Sequence, residues 1–270
     1  MRKSRIAAAG CSLLLTAACA FVDPATAQVA PRTAAAGYVA LGDSYSSGAG
    51  AGDYLPSSGK NCKRSSRAYP VLWAEAHAQS SFSFVACNGA GTGEVLSEQL
   101  GPLGARTRLV SLTVGGTDSG FATVMTTCAI GGTSRCTSAV SRARSAMDGT
   151  LSRNLDRLYS VIRDRAPAAR VVVLGYPHLY HLGGRCSLGL PEDERASLNS
   201  AVDHLNQVIA QRAAAHGFAF ADVTGAFTGH EICSSTPWLH GVDVLAITES
   251  YHPTAPGQSL GYLPALDRAL

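Results

Sequence analysis

Two short stretches far apart in the chain hold residues that could do covalent chemistry. Gly42-Asp43-Ser44-Tyr45-Ser46-Ser47-Gly48 places a serine hydroxyl directly after an apolar run, and Thr248-Glu249-Ser250-Tyr251-His252-Pro253-Thr254 offers an imidazole. A serine hydroxyl is a weak nucleophile until a base takes its proton. Ser44 is therefore the candidate nucleophile and His252 the candidate base, with its backbone restricted by Pro253. The imidazole needs an acceptor at its second ring nitrogen. Glu249, three residues earlier, offers a carboxylate, and the backbone carbonyl of Ser250 offers the same service without charge. Each piece alone has a plainer meaning, because Gly-Asp-Ser suits any turn and a lone histidine suits any surface.

Those residues do chemistry only if the fold brings them together. The run Tyr38–Gly42 reads as a buried strand that stops at Gly-Asp-Ser. Phe82–Cys87 reads as a second strand ending at Asn88-Gly89-Ala90-Gly91, and Leu109–Val114 as a third ending at Gly115-Gly116-Thr117-Asp118. A helical stretch, Tyr69–Ala78, separates the first two, which is the pattern of βαβ units and a parallel sheet. Gly120–Cys136 reads as an excursion, Val140–Arg165 as a polar helix interrupted at Gly149, and Val171–Gly175 as a fourth strand buried on both faces. Pro191–His216 is the clearest helix, with acidic residues in its first turn and Gly217 just beyond its end. Phe218–Asp222 forms a short fifth strand, and Gln258–Leu270 a final helix. Strand ends in such sheets are where α/β proteins keep their sites.

The first residues carry the marks of export. Arg2, Lys3 and Arg5 precede the apolar stretch Ile6–Val22, and Ala25-Thr26-Ala27 offers a small-residue cleavage site. A signal peptide over residues 1–27 is expected, with cleavage a few residues later as the alternative, followed by a single domain over 37–270. Of 22 basic and 19 acidic side chains, three and one leave with residues 1–27, so the net charge falls from +3 to +1. That leaves no basic patch for nucleic acid or an anionic membrane. No later stretch approaches the roughly 20 apolar residues of a span, so no transmembrane segment is expected. Six cysteines remain, Cys62, Cys87, Cys128, Cys136, Cys186 and Cys233, an even count that suits a secreted disulfide framework. Of fifteen pairings, the sequential set 62–87, 128–136 and 186–233 is our expectation. No C-x-x-C pair supports zinc, and His178 and His181, although three residues apart, lack a carboxylate pattern for a metal.

Four blocks in order, Gly42-Asp43-Ser44, Gly89, Gly115-Gly116-x-Asp118 and His252-Pro253, resemble those of the SGNH, or GDSL, hydrolase superfamily. With Gly229-His230-Glu231-Ile232-Cys233 and the six cysteines, the resemblance is closer to secreted actinobacterial lipases, esterases and A-type phospholipases, and covers essentially all of the mature chain. It implies a flavodoxin-like three-layer α/β/α sandwich of about five parallel strands. It implies a secreted serine ester hydrolase for lipid or other acyl esters, needing neither metal nor organic cofactor. Ser44 would be the nucleophile and His252 the base, with the N–H groups of Ser44 and Gly89 as oxyanion donors. The family places an asparagine donor where this chain has Thr117, and commonly an aspartate where it has Glu249. Thr117 donating through its hydroxyl, a slower enzyme, and a water in its place remain three readings. A carbohydrate acetyl esterase and a catalytically impaired binding protein are the alternatives to a lipase. A monomer is the default expectation. The motif is not the G-x-S-x-G elbow of another hydrolase fold.

Overall fold

Five apolar runs make one parallel sheet: β1 (Tyr38–Gly42), β2 (Phe82–Phe84), β3 (Leu109–Thr113), β4 (Arg170–Leu174) and β5 (Ala219–Ala221). They are ordered β2-β1-β3-β4-β5. The computed structural model describes residues 37–270, apart from Ser80, Arg185, Ser187, Leu188, Val244 and the side chain of Lys60. The reading of residues 1–27 as a signal lies outside the described residues. β1 and β3 are buried at every position and β4 at all but its first. Strands without a polar face must be covered on both sides, which calls for helices in two layers.

The covering helices are α1 (Ser44–Ser47), α2 (Tyr69–Ala76), α3 (Phe121–Gly131), α4 (Thr133–Ala146), α5 (Ser152–Arg165), α6 (Glu192–Ala215) and α7 (Leu263–Arg268). Shorter helical turns are named by their residues. Right-handed crossovers put α2 on one face as the chain steps from β1 to β2. They put α5 and α6 on the other face as it steps back past β1 to β3 and on to β5. Tyr262, beside α7, stacks on Tyr69 of α2 with 5.6 Å between ring centres, so α7 completes the first layer. His216, at the end of α6, meets Tyr159 of α5 edge-on at 5.8 Å. The change of direction at β1 opens a crevice between the carboxyl ends of β1 and β3, where Gly42 is in register with Thr113.

Two details differ from the sequence reading, and the interruption expected near Gly149 is present. β2 ends at Phe84 because the N–H groups of Val85 and Ala86 both donate to the Ala40 carbonyl, at 3.0 and 3.2 Å. That extra residue breaks the ladder as a bulge does. The excursion after β3 is helical, with α3 and α4 meeting at a corner joined by Cys128–Cys136. The interruption near Gly149 is a π-helical turn over Met147–Leu151, which turns Met147 and Leu151 into the core. The other disulfides, Cys62–Cys87 and Cys186–Cys233, cross-link the loops after β1 and β2 and those after β4 and β5. Among the described residues no helix is long and apolar enough to cross a membrane.

Candidate active site

The turn after β1 is built to hold Ser44 in one place. Gly42 has φ 117°, and a Cβ there would lie 2.3 Å from the Thr113 carbonyl oxygen, so only glycine lets β1 run this close to β3. The Gln99 side chain clamps the same residue, accepting from Gly42 N–H at 2.7 Å and donating to its carbonyl at 2.9 Å. Asp43 caps α1, accepting from Tyr45 N–H at 3.0 Å and from the Thr113 hydroxyl at 2.6 Å. The Tyr176 hydroxyl also donates to it. Burial lifts the Asp43 carboxyl to about 6, while the Thr113, Tyr176 and Tyr45 donors limit the rise. Asp43 is thus a fastening for the turn. Ser44, beside it, keeps partial access to solvent.

The loops after β2 and β3 are tied to that turn and to each other. Asn88 N–H donates to the Cys62 carbonyl at 3.0 Å, and the Cys62–Cys87 bond holds the same place. Gly89 follows with φ 83° and is exposed. Asp118 accepts from Thr92 N–H at 2.9 Å and from the Thr92 hydroxyl, fastening the third loop to the second. Gly116 N–H donates to the Tyr176 hydroxyl at 3.1 Å. Tyr176 therefore links Asp43 to the third loop. Thr117 is exposed at its tip, and among the described residues its hydroxyl has no hydrogen-bond partner.

His252 is held by backbone on both sides. Tyr251 N–H donates to the His240 carbonyl at 2.9 Å, and His240 N–H donates to the His252 carbonyl at 3.0 Å. Tyr251 sits at φ 66°, and its carbonyl accepts from the Tyr45 hydroxyl at 2.7 Å. The loop bearing His252 is thereby anchored to the helix that begins at Ser44. Ser44, Gly89, Thr117 and His252 line one cavity of about 330 Å³.

Glu249 does not face the imidazole. Its carboxylate accepts from the Tyr54 hydroxyl at 2.8 Å and pairs with Lys63 at 3.1 Å. Burial works against its ionisation, but the Tyr54 and Lys63 contacts hold its carboxyl below the usual range. Nδ1 of His252 is buried without a hydrogen bond of full geometry. The Ser250 and Glu249 backbone carbonyls act to favour the protonated ring, against the larger effect of burial. Of the two candidate orienters, the carboxylate is the one already engaged elsewhere.

The other histidines are engaged elsewhere. His178 bonds Asp203 at 2.6 Å, and His181 lies 3.5 Å from Glu231. His230 stacks on Trp238 at 3.7 Å and its Nδ1 meets the Thr236 carbonyl, a packing arrangement outside the cavity. Sequence reasoning passed over Tyr45, Gln99 and Tyr176. Tyr176 had a usable signal, since it directly follows Gly175 at the carboxyl end of β4. Gln99 had none, because its partner is backbone 57 residues away.

Residues 40–260 match the model of the GDSL-like Lipase/Acylhydrolase family. Lipase 1 of Streptomyces coelicolor is 58% identical over 269 residues that span the whole of both chains. The crystal structure of phospholipase A1 from Streptomyces albidoflavus superposes with a TM-score of 0.85 at 56% identity, covering 88% of this chain and 100% of that one. An extracellular lipase from Streptomyces rimosus gives a TM-score of 0.84 at 56% identity, over 86% of this chain and 99% of the other.

Proposed function

We propose that this chain, which belongs to the GDSL-like Lipase/Acylhydrolase family and is a carboxylic ester hydrolase, works through an acyl-enzyme on Ser44. Ser44 Oγ attacks the ester carbonyl while its proton passes to Nε2 of His252. The oxyanion is met by the N–H groups of Ser44 and Gly89 and by the Thr117 hydroxyl. As the intermediate collapses, His252 returns the proton to the departing alkoxide. A water molecule, deprotonated by the same imidazole, then attacks the acyl-enzyme and releases the acid. The Ser250 carbonyl selects the Nδ1–H tautomer, leaving Nε2 free to accept. Fixed donors aimed at a developing oxyanion are usually the largest single catalytic term. The observation that carries this reading is the convergence of Ser44, Gly89, Thr117 and His252 on one cleft.

The substrate is an acyl ester of a lipid, a glyceride or a phospholipid. Phe121, Leu179, Val202 and Leu205 line the same cleft, and such a wall suits a hydrocarbon chain better than an acetylated sugar. The chain acts after export, as a monomer, with residues 1–27 removed. The test is labelling with a fluorophosphonate, followed by mass mapping and by hydrolysis of glyceride and diacyl phospholipid. One adduct on the peptide carrying Ser44, formed in step with loss of both activities, is the expected result. Full activity after labelling, or an adduct on another serine, overturns the mechanism.

The pH dependence follows from the burial of His252, which lowers the imidazole from 6.5 to about 4. The Ser250 and Glu249 carbonyls act in the opposite sense, and Lys63 and His240 add to the lowering. A base with a lowered pKa stays neutral further into acid. We expect kcat/KM for a soluble ester to keep its plateau down to about pH 5.5 and to fall only near pH 4. An acid limb centred at 6.5 or higher would contradict this. Between 6.5 and about 4 the unfolded chain binds more protons at this site than the fold does, so this group's share of stability rises with pH and is lost as pH drops through that window.

A further inference from the structure

Beside the cleft, sharing part of its wall, lies a second, smaller apolar pocket with room for about 30 Å³, little more than a water needs. It is walled by Val124, Ala143, Met147, Leu198 and Ala201. Four residues belong to the walls of both spaces: Phe121, Leu179, Val202 and Leu205. The last three are buried in the core, fixed by the sheet and by α6. Phe121 differs from them. It is only half-buried and is the first residue of α3. It follows Gly120, whose φ of 73° sets the turn into the helix, and no side chain caps that end. Its aromatic neighbour is Tyr251, met edge-on at 6.0 Å, the residue before His252.

We propose that Phe121 is the movable partition between the catalytic cleft and the adjoining pocket, and that its ring decides how long an acyl chain the enzyme accepts. The cleft, at about 330 Å³, is at the small end of ligand sites, which run from ~300 to ~1,000 Å³. A short acyl group fits in front of the ring. A longer one must displace it and run between α3, α4 and α6, where the π-turn at Met147 and the small side chains Ala143 and Ala201 leave space. The Cys128–Cys136 bond holds α3 and α4 together beyond that space, so the ring can swing without the helices separating.

The inference rests on the reading that the cleft with Ser44 and His252 is the acyl-transfer site. Each buried methylene is worth about fourfold in kcat/KM. Phe121→Ala is expected to raise the decanoate-to-butyrate ratio of kcat/KM, on monomeric p-nitrophenyl esters, by about tenfold or more. Phe121→Trp lowers the ratio. Ala201→Leu, which fills the pocket from α6, lowers it alone and cancels the gain when added to Phe121→Ala. Should Phe121→Ala fail to fold, the Trp and Ala201→Leu variants still decide the matter. A ratio within about twofold of the parent in all folded variants overturns the proposal, as does a gain that Ala201→Leu leaves intact. Failure of the underlying reading shows separately, as hydrolysis that survives Ser44→Ala while the ratios are unaffected.

Discussion

Ser44→Ala and His252→Ala should each lower kcat by about 10⁴-fold or more, and the double variant should be little worse than either. The two side chains act as one unit: without the imidazole the hydroxyl keeps its proton, and without the hydroxyl the imidazole has nothing to activate. Glu249→Ala is the informative contrast. Its carboxylate is spent on Tyr54 and Lys63, so its removal should lower kcat by only about threefold. The lost surface pair should cost about 0–1 kcal/mol of stability. The measurement is kcat on a soluble ester beside a thermal unfolding curve for each variant. If Glu249→Ala falls as far as His252→Ala while still folded, the carboxylate orients the imidazole and the assignment to the Ser250 carbonyl is wrong.

Thr117→Val should lower kcat by about 10²-fold with a smaller change in KM, the signature of a donor that acts only on the oxyanion. Valine keeps the shape and β-branching of threonine and removes only the hydroxyl. That hydroxyl is exposed on the wall of the cavity and has no other partner among the described residues. Removing it therefore disturbs no packing and no second bond. Thr117→Asn, which restores a side-chain N–H donor on a longer arm, should retain at least the parent rate. A valine variant within about threefold of the parent would mean that the two N–H groups, or a water, suffice. The oxyanion role of Thr117 would then be withdrawn.

Much of the fold was legible in the residue order. β1, β3 and β4 are buried throughout or nearly so, and buried parallel strands leave continuous apolar runs that need no tertiary context to be read. The acidic first turn of α6 and the glycine beyond its end marked a helix through local chemistry alone. Ser44 stood out because it follows a strand at a glycyl turn and His252 because a proline follows it, whereas Gly89 and Thr117 gained their roles from the resemblance to the family. α3 and the first half of α4 were not legible as helices. Their Thr-, Ser- and Gly-rich sequence carries little stripe, and they form a corner closed by Cys128–Cys136 against α6.

The sequence by itself determined which residue types were available and where they lie: a serine, two glycyl loops and a threonine at strand ends, and a histidine in the loop before the last helix. It also left two acceptors open for the imidazole, because Glu249 and Ser250 are both within a turn of His252. Only the tertiary structure bears on the choice, since Tyr54 and Lys63, 195 and 186 residues earlier, draw the carboxylate away. The same holds for the clamp of Gln99 on Gly42, for Tyr176 between Asp43 and Gly116, and for Phe121 between two cavities. Local propensity is written in neighbouring residues and can be read from them. The direction of a side chain is set by partners that the fold brings from far along the chain, and no local pattern records it.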